Sequence, residues 1–195
     1  MHRNRLRAFY ALFGSDDVLL IFSAYIDLLL LDIGEAMREE NLERMIKLAE
    51  EFFEMKNDPL QISIDQKTRT KLKRIHPSTM TEIRNRKGPV AWVLVIPTTS
   101  TLMEQFTAGK IHERDLLRRT RVHTKFDALY LCSALVLPEF RRKGLAKRLV
   151  SKAIRSIRKQ HAIKYLFYWA FSTEGRNLAL SVAKDFRLPL LSRND

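Results

Sequence analysis

The order of predicted elements between residues 129 and 186 restricts the fold more than any other feature of this chain. Residues 129–137 (LYLCSALVL) and 165–171 (YLFYWAF) are almost continuously apolar, which predicts two buried strands. An amphipathic helix over residues 144–160 separates them, and a second helix over 174–186 follows. A strand, a helix and a strand in this order predict a parallel pair joined by a right-handed crossover, and therefore an α/β fold.

One further strand and two short helices are predicted upstream of this unit. Residues 90–96 (VAWVLVI) predict a strand that Pro97 ends. Residues 100–107 and 112–119 predict the helices, on either side of an Ala-Gly break. The last nine residues (RLPLLSRND) leave room for one short edge strand.

The first 60 residues differ from the rest and are predicted to form a helical extension packed on a core of residues 61–195. Helices are predicted over residues 15–31 and, from an apolar stripe, over residues 42–53. Residues 61–88 are polar and basic, which predicts a loop or ragged strand segments. An apolar run at 18–31 contains Asp27, and an acidic residue at the centre of a bilayer costs about 2.5–3.5 kcal/mol. A buried helix is therefore favoured over a membrane anchor.

The net charge of +13 is unevenly spread. Residues 1–60 contain 7 Lys and Arg against 12 Asp and Glu, a net −5, and residues 61–195 contain 28 against 10, a net +18. A basic field of this size attracts nucleic acid, an anionic membrane or a phosphorylated small molecule. Composition alone leaves these three classes open.

Cysteine and histidine usage excludes other classes. The single cysteine, Cys132, excludes an intramolecular disulfide framework and fits a reducing cytosol, so a cytoplasmic location is expected. Its place on an apolar strand predicts a small core residue. The five histidines have no metal-ligand spacing, and no metal is assigned.

The segment PEFRRKGLAK, residues 138–147, combines features of an anion site. A strand ends, a basic turn follows, and a helix begins at Gly144. The first N–H groups of a helix have no acceptor within it, and the helix dipole favours negative charge there. Gly144 lets a phosphate approach the backbone, and Arg141, Arg142 and Lys143 add charged donors. A P-loop is excluded because its second glycine and its Lys-Ser/Thr ending are missing.

The stretch LVLPEFRRKGLAKRL resembles the acyl-CoA-binding motif of the GNAT superfamily of acyl-CoA-dependent N-acyltransferases, in its apolar strand end, its proline and its Arg-x-x-Gly-x-Ala core. The resemblance covers about residues 90–186. It implies a mixed central sheet with a splayed parallel strand pair, helices on both faces, and transfer of an acyl group, with acetyl as the expected one, from acyl-CoA to a primary amine by direct attack. The implied acceptor is a small-molecule or peptide amine. The implied cofactor-binding residues are Leu135, Val136, Leu137, Arg141, Arg142, Lys143, Gly144, Leu145, Ala146, Lys147 and Asn177.

The same resemblance leaves the catalytic residues unassigned. Seven residues after Asn177, where the family often has a tyrosine that protonates the leaving thiolate, this chain has Lys184. No glutamate lies on residues 129–137 to act as the usual base, and the C-terminus has room for one strand where the family usually has two. Another part of the chain or a partner subunit in a homodimer would supply the missing strand. Two other functions stay open: an inactive acyl-CoA-binding module, and a nucleic-acid binder, the latter less favoured.

Overall fold

The computed structural model describes residues 40–49, 51, 62, 66–169 and 172–193. The helix predicted over residues 15–31 lies outside the described residues, and so does most of the extension that we predict over residues 1–60. Among the helices of the described ranges, none is long and apolar enough to cross a membrane.

The described part of the chain contains six α-helices and five strands. The helices are α1 (residues 40–49), α2 (Gln66–Ile75), α3 (Ser100–Thr107), α4 (Glu113–Arg119), α5 (Leu145–Arg158) and α6 (Thr173–Phe186). The strands are β1 (Met80–Asn85), β2 (Gly88–Thr98), β3 (Ala128–Val136), β4 (Tyr165–Tyr168) and β5 (Leu190–Ser192). A short 3-10 turn, Pro138–Phe140, follows β3. The predicted α/β class with a mixed sheet is confirmed.

The five strands form one sheet whose spatial order is the chain order. Strand β2 pairs antiparallel with β1 and with β3, whereas β4 pairs parallel with β3 and with β5. The parallel pairing of β3 with β4, joined through α5, is the crossover that the sequence predicts. The short C-terminal strand is also present as β5.

Strands β3 and β4 separate soon after they pair. Their last paired residues are Leu131 and Tyr168, and β4 ends there. Strand β3 continues to Val136, where it pairs only with β2. Within the described part of the chain, one edge of β3 is therefore unpaired along its second half, and a gap opens between the two strands.

A β-bulge at Cys132 lies where the strands separate. Ser133 pairs with Leu94, and Leu131 pairs with Val95, so Cys132 is an extra residue that has no partner on β2. A bulge bends its strand and increases its twist. This distortion directs the second half of β3 away from β4.

Two clusters of apolar side chains stabilise the fold. The larger cluster consists of side chains from the sheet and from the helices packed against it. It includes an aromatic group in which Phe106, Tyr130 and Phe167 are fully buried. The smaller cluster joins α1 to the far end of β3 through residues such as Met45 and Leu137. The guanidinium of Arg44 also bonds the Glu139 carboxylate at 2.8 Å, so α1 is held beside the turn that follows β3.

The structure differs from the sequence-based prediction over residues 61–88. This range contains the ten-residue helix α2, which is not predicted, and the strand β1, whose pairing with β2 is irregular between Ile83 and Arg84 and fits the predicted ragged strand. Only Leu72 and Ile75 of α2 are buried, so the helix has too narrow an apolar stripe to be recognised from its pattern.

Two histidines lie close together where α2 leads into β1. His76 is 2% exposed, its Nδ1 accepts the Ser78 N–H at 3.0 Å, and its Nε2 has no partner among the described residues. The His161 ring lies 6.0 Å away. Burial, and then His161, lower the pKa of His76, whereas burial, and then Lys125, lower the pKa of His161.

These lowered pKa values predict that stability falls with acidification near neutral pH. Unfolded histidine takes up a proton as pH falls through 6.5, while the folded protein resists it, so the unfolded state binds more protons. The free energy of unfolding should be level above about pH 7.5 and should fall below pH 6.5, by at most about 1.4 kcal/mol per pH unit for each proton. Urea unfolding across this range tests the trend, which His76→Gln should weaken. A level profile down to about pH 5.5 would contradict it.

Candidate active site

The gap between β3 and β4 forms a cleft of about 760 Å³. The second half of β3 forms one wall, and Tyr168, Trp169 and the first turn of α6 form the other. The turn between β3 and α5 closes one end, where Arg141, Arg142 and Gly144 line it. The cleft therefore runs from a basic turn to the point where the strands separate.

The turn before α5 exposes backbone N–H groups to this cleft. Gly144 is the N-cap of α5 and has a φ of 69°, and Arg142 has a φ of 60°, so the chain twice enters the left-handed region. A Cβ added to Gly144 would meet no atom within 4 Å. The N–H of Arg148 is the first to find a helical acceptor, the Gly144 carbonyl at 3.0 Å, so the preceding N–H groups have no acceptor inside the helix. An anion fits this open corner.

A second helix begins at the same cleft. Ser172 is the N-cap of α6, and its Oγ accepts the Gly175 N–H at 3.0 Å. Ser172 and Gly175 both line the cleft, and so does the exposed Glu174. The N-termini of α5 and α6 therefore both border it, and both helix dipoles favour negative charge there.

The basic side chains of the turn have distinct surroundings. Arg141 Nε donates to the Val136 carbonyl at 3.1 Å, so its guanidinium is tied to the end of β3. Lys147 Nζ lies 2.8 Å from the Asp185 carboxylate on α6. Lys143 does not line the cleft, and its ammonium lies 5.1 Å from the centre of the Phe140 ring.

The free edge of β3 presents backbone groups of alternate residues to the cleft. Leu137 N–H donates to the Val90 carbonyl on β2 at 3.0 Å, so it faces away from the cleft. Because successive residues of a strand direct their N–H groups to opposite edges, the N–H groups of Val136 and Ala134 face the cleft. The side chain of Leu137 is buried in the cluster with α1.

Most of the residues that the family resemblance implies meet at this cleft. Those that line it are Leu135, Val136, Arg141, Arg142, Gly144, Leu145, Ala146 and Lys147. Leu137, Lys143 and Asn177 do not line it, and Asn177 is exposed on α6. Lys184 is also exposed and outside the cleft lining.

The structure also brings together three residues that the sequence does not connect. Glu113, at the start of α4, is 6% exposed, and its Oε1 accepts a hydrogen bond from the Tyr130 hydroxyl. Cys132 Sγ donates to the same oxygen at 3.8 Å. Cys132 packs half-buried against the larger apolar cluster, as predicted, and it also lines the cleft. We call Glu113, Tyr130 and Cys132 the Glu113 cluster.

Sequence and structure comparisons bear on the identity of this cleft. The acetyltransferase (GNAT) family model matches residues 42–182. Among curated proteins, none matches the chain significantly.

Solved acetyltransferase structures are similar to the chain at low identity. An aminoglycoside acetyltransferase from an uncultured soil metagenomic sample, in complex with trehalose, is 16% identical over 74% of this chain and 78% of that chain, with a TM-score of 0.41. Its sisomicin complex is 18% identical over 73% and 78%, with a TM-score of 0.41. The xEco2 acetyltransferase domain bound to a CoA conjugate is 16% identical over 80% and 86%, with a TM-score of 0.38.

The range that the family model matches contains both strands of the gap, the turn at Gly144, and α5 together with most of α6. It also includes the Arg-x-x-Gly-x-Ala core from which the resemblance was inferred. This chain therefore belongs to the acetyltransferase (GNAT) family.

Proposed function

We propose that this protein is an N-acetyltransferase that moves an acetyl group from acetyl-CoA to a primary amine. The observation that supports this most is the free edge of β3, which leads directly to an open helix N-terminus at Gly144. Acetyl-CoA is an extended chain with a diphosphate towards one end. The chain fits along the free edge of β3, and the diphosphate fits at the N-terminus of α5.

The diphosphate of acetyl-CoA would lie at the start of α5. The N–H groups of Leu145, Ala146 and Lys147 would donate to its oxygens, and Arg141 and Arg142 would add charge. The open space at Gly144 supports this assignment, because a bound phosphate would need the volume that a side chain would occupy.

The pantetheine arm would lie along β3 as an additional strand. Its two amide groups would pair with the backbone of Val136 and Ala134, whose N–H groups face the cleft. The thioester would then lie near the bulge, where a backbone N–H of β3 would polarise its carbonyl and stabilise the oxyanion. The amine would attack from the far end of the cleft. The lone cysteine supports a cytoplasmic location.

Release of free CoA thiol tests this proposal directly. We expect acetyl-CoA to raise the melting temperature of the protein, and we expect thiol release only when an amine from a panel of small amines, aminoglycosides and peptides is present. Mass spectrometry should find the acetyl group on the amine. A protein that binds acetyl-CoA but acetylates none of these amines would instead support a non-catalytic acyl-CoA-binding module. Stabilisation by an oligonucleotide and not by acetyl-CoA would contradict both.

A further inference from the structure

The Glu113 cluster lies directly behind the point where the cleft ends. Cys132 is the bulge residue that follows Leu131, the last residue of β3 to pair with β4. Cys132 is half-buried and lines the cleft, and its thiol contacts the carboxylate of Glu113, which does not line the cleft. A buried carboxylate is therefore one side chain away from the cleft.

Two neighbouring side chains donate hydrogen bonds to the Glu113 carboxylate. Burial, followed by the nearby Glu113 carboxylate, raises the pKa of the Tyr130 hydroxyl well above its usual range. The same two causes, in the same order, raise the pKa of the Cys132 thiol. Both groups are therefore protonated near neutral pH and donate to Glu113 Oε1. Cys132 is a hydrogen-bonded thiol and lacks the thiolate character of a nucleophile.

Two other carboxylates, Asp127 and Glu174, are less suited to proton transfer. Both oxygens of Asp127 accept hydrogen bonds from Ser100, at 2.6 and 2.9 Å, so this carboxylate caps α3. Glu174 lines the cleft but is exposed to water at the first turn of α6. Among the described residues, Glu113 is the buried carboxylate that contacts a cleft-lining side chain.

We propose that Glu113, acting through the Cys132 thiol, carries the proton of the reaction from the attacking amine to the sulfur of CoA. This inference rests on the acetyl transfer proposed above. As the amine nitrogen bonds to the acetyl carbon, its proton passes to Cys132 Sγ while the thiol proton passes to Glu113 Oε1. When the carbon–sulfur bond breaks, both shifts reverse and the proton ends on the CoA sulfur.

We call this pair of proton shifts the relay. Its bonds and protons balance, and it needs no reactant other than the amine and acetyl-CoA. One N–H and one C–S bond break, one C–N and one S–H bond form, and Glu113 and Cys132 return to their starting states. The thiol gains one proton as it loses another, so it is never charged. Tyr130 is a positioning residue, because its hydroxyl holds the same carboxylate oxygen from the other side.

Four variants test the relay against a purely structural role. Glu113→Gln should lower kcat about 100-fold or more, the range expected for loss of a proton carrier, while the Kd for acetyl-CoA changes less than about twofold. Cys132→Ala should lower kcat strongly, and Cys132→Ser should restore part of it, because a hydroxyl both accepts and donates a proton. Asp115→Asn is the matched control: it removes a partly exposed carboxylate, which pairs with Arg118, from the first turn of the same helix and should leave kcat unchanged.

Several outcomes would overturn the relay. If Glu113→Gln keeps the wild-type kcat, Glu113 does not carry the proton. If Cys132→Ala keeps the wild-type kcat, the thiol takes no part in the transfer. A test on the wild type covers the case in which a variant fails to fold. The single-turnover rate in H2O–D2O mixtures should depend on the deuterium fraction along a curve, because two protons move together, and a straight line would contradict this. A wild type that binds acetyl-CoA and transfers to no amine would overturn the proposed function itself.

Discussion

Gly144→Glu should abolish acetyl-CoA binding, with an affinity loss of about 100-fold or more, which corresponds to about 2.7 kcal/mol. The glutamate would occupy the open space at the start of α5 and would place a negative charge where the diphosphate is expected. It would also strain the backbone, because a side chain at a φ of 69° costs about 1–2 kcal/mol. Isothermal titration with acetyl-CoA measures the loss.

Gly109→Glu separates the binding effect from the backbone strain. Gly109 has a φ of +71°, has no atom within 4 Å of an added Cβ, and does not line the cleft. We therefore expect a comparable loss of stability with unchanged binding. Equal affinity in the two variants would show that the diphosphate does not bind at Gly144.

Phe106→Ala should destabilise the fold by about 3–5 kcal/mol, as removal of a fully buried phenylalanine usually does. The Phe106 ring lies edge-on to Tyr130, Phe167 and Trp169, with centroid distances of 4.9, 5.8 and 6.4 Å. The guanidinium of Arg193 lies 4.9 Å from the same ring. The side chain therefore joins α3 to β3, to β4 and to the cleft wall at Trp169.

Chemical denaturation measures this loss. Leu180→Ala is the control, since Leu180 is 49% exposed and its truncation should change the free energy of unfolding by less than about 0.5 kcal/mol. A loss below about 1 kcal/mol for Phe106→Ala would mean that the aromatic group is not tightly packed. Because Trp169 packs on Phe106, we also expect a higher KM for the amine in this variant.

The central strands and α5 could be predicted because the apolar patterns that mark them lie within short stretches of sequence. Strands β2 and β3 are long apolar runs and α5 has a full apolar stripe, so their bounds agree with the predictions within two residues. The prediction that Pro97 ends β2 is wrong, because Pro97 lies opposite Leu129 of β3 and the strand continues to Thr98. The anion site at the start of α5 could be predicted for the same reason, because the strand end, the basic turn and the glycine that form it are neighbours in sequence. By contrast, β4 ends at Tyr168, before the predicted end at residue 171, because pairing with β3 stops where the strands separate.

The Glu113 cluster could not be predicted from local patterns. In the segment HERDLLRR, Glu113 looks like any acidic residue in the first turn of a helix. Its burial depends on Tyr130 and Cys132, which follow it by 17 and 19 residues on another element. The bulge that turns Cys132 toward the cleft has no signature in LYLCSALVL, whose residues fit a regular strand equally well.

Because of the bulge at Cys132, the shape of the cleft depends on the number of residues in β3. One added position in β3 lies where the two strands separate, and the exposed edge offers main-chain N–H and C=O groups, which every residue except proline supplies in full. Substitutions at Ala134 or Val136, other than to proline, would thus keep these hydrogen-bonding groups, and their cost would come from the packing of the two side chains against the core. Insertions and deletions within β3 are the genetic changes to which this architecture is most vulnerable, since loss of a single codon would restore a regular ladder and seal the opening.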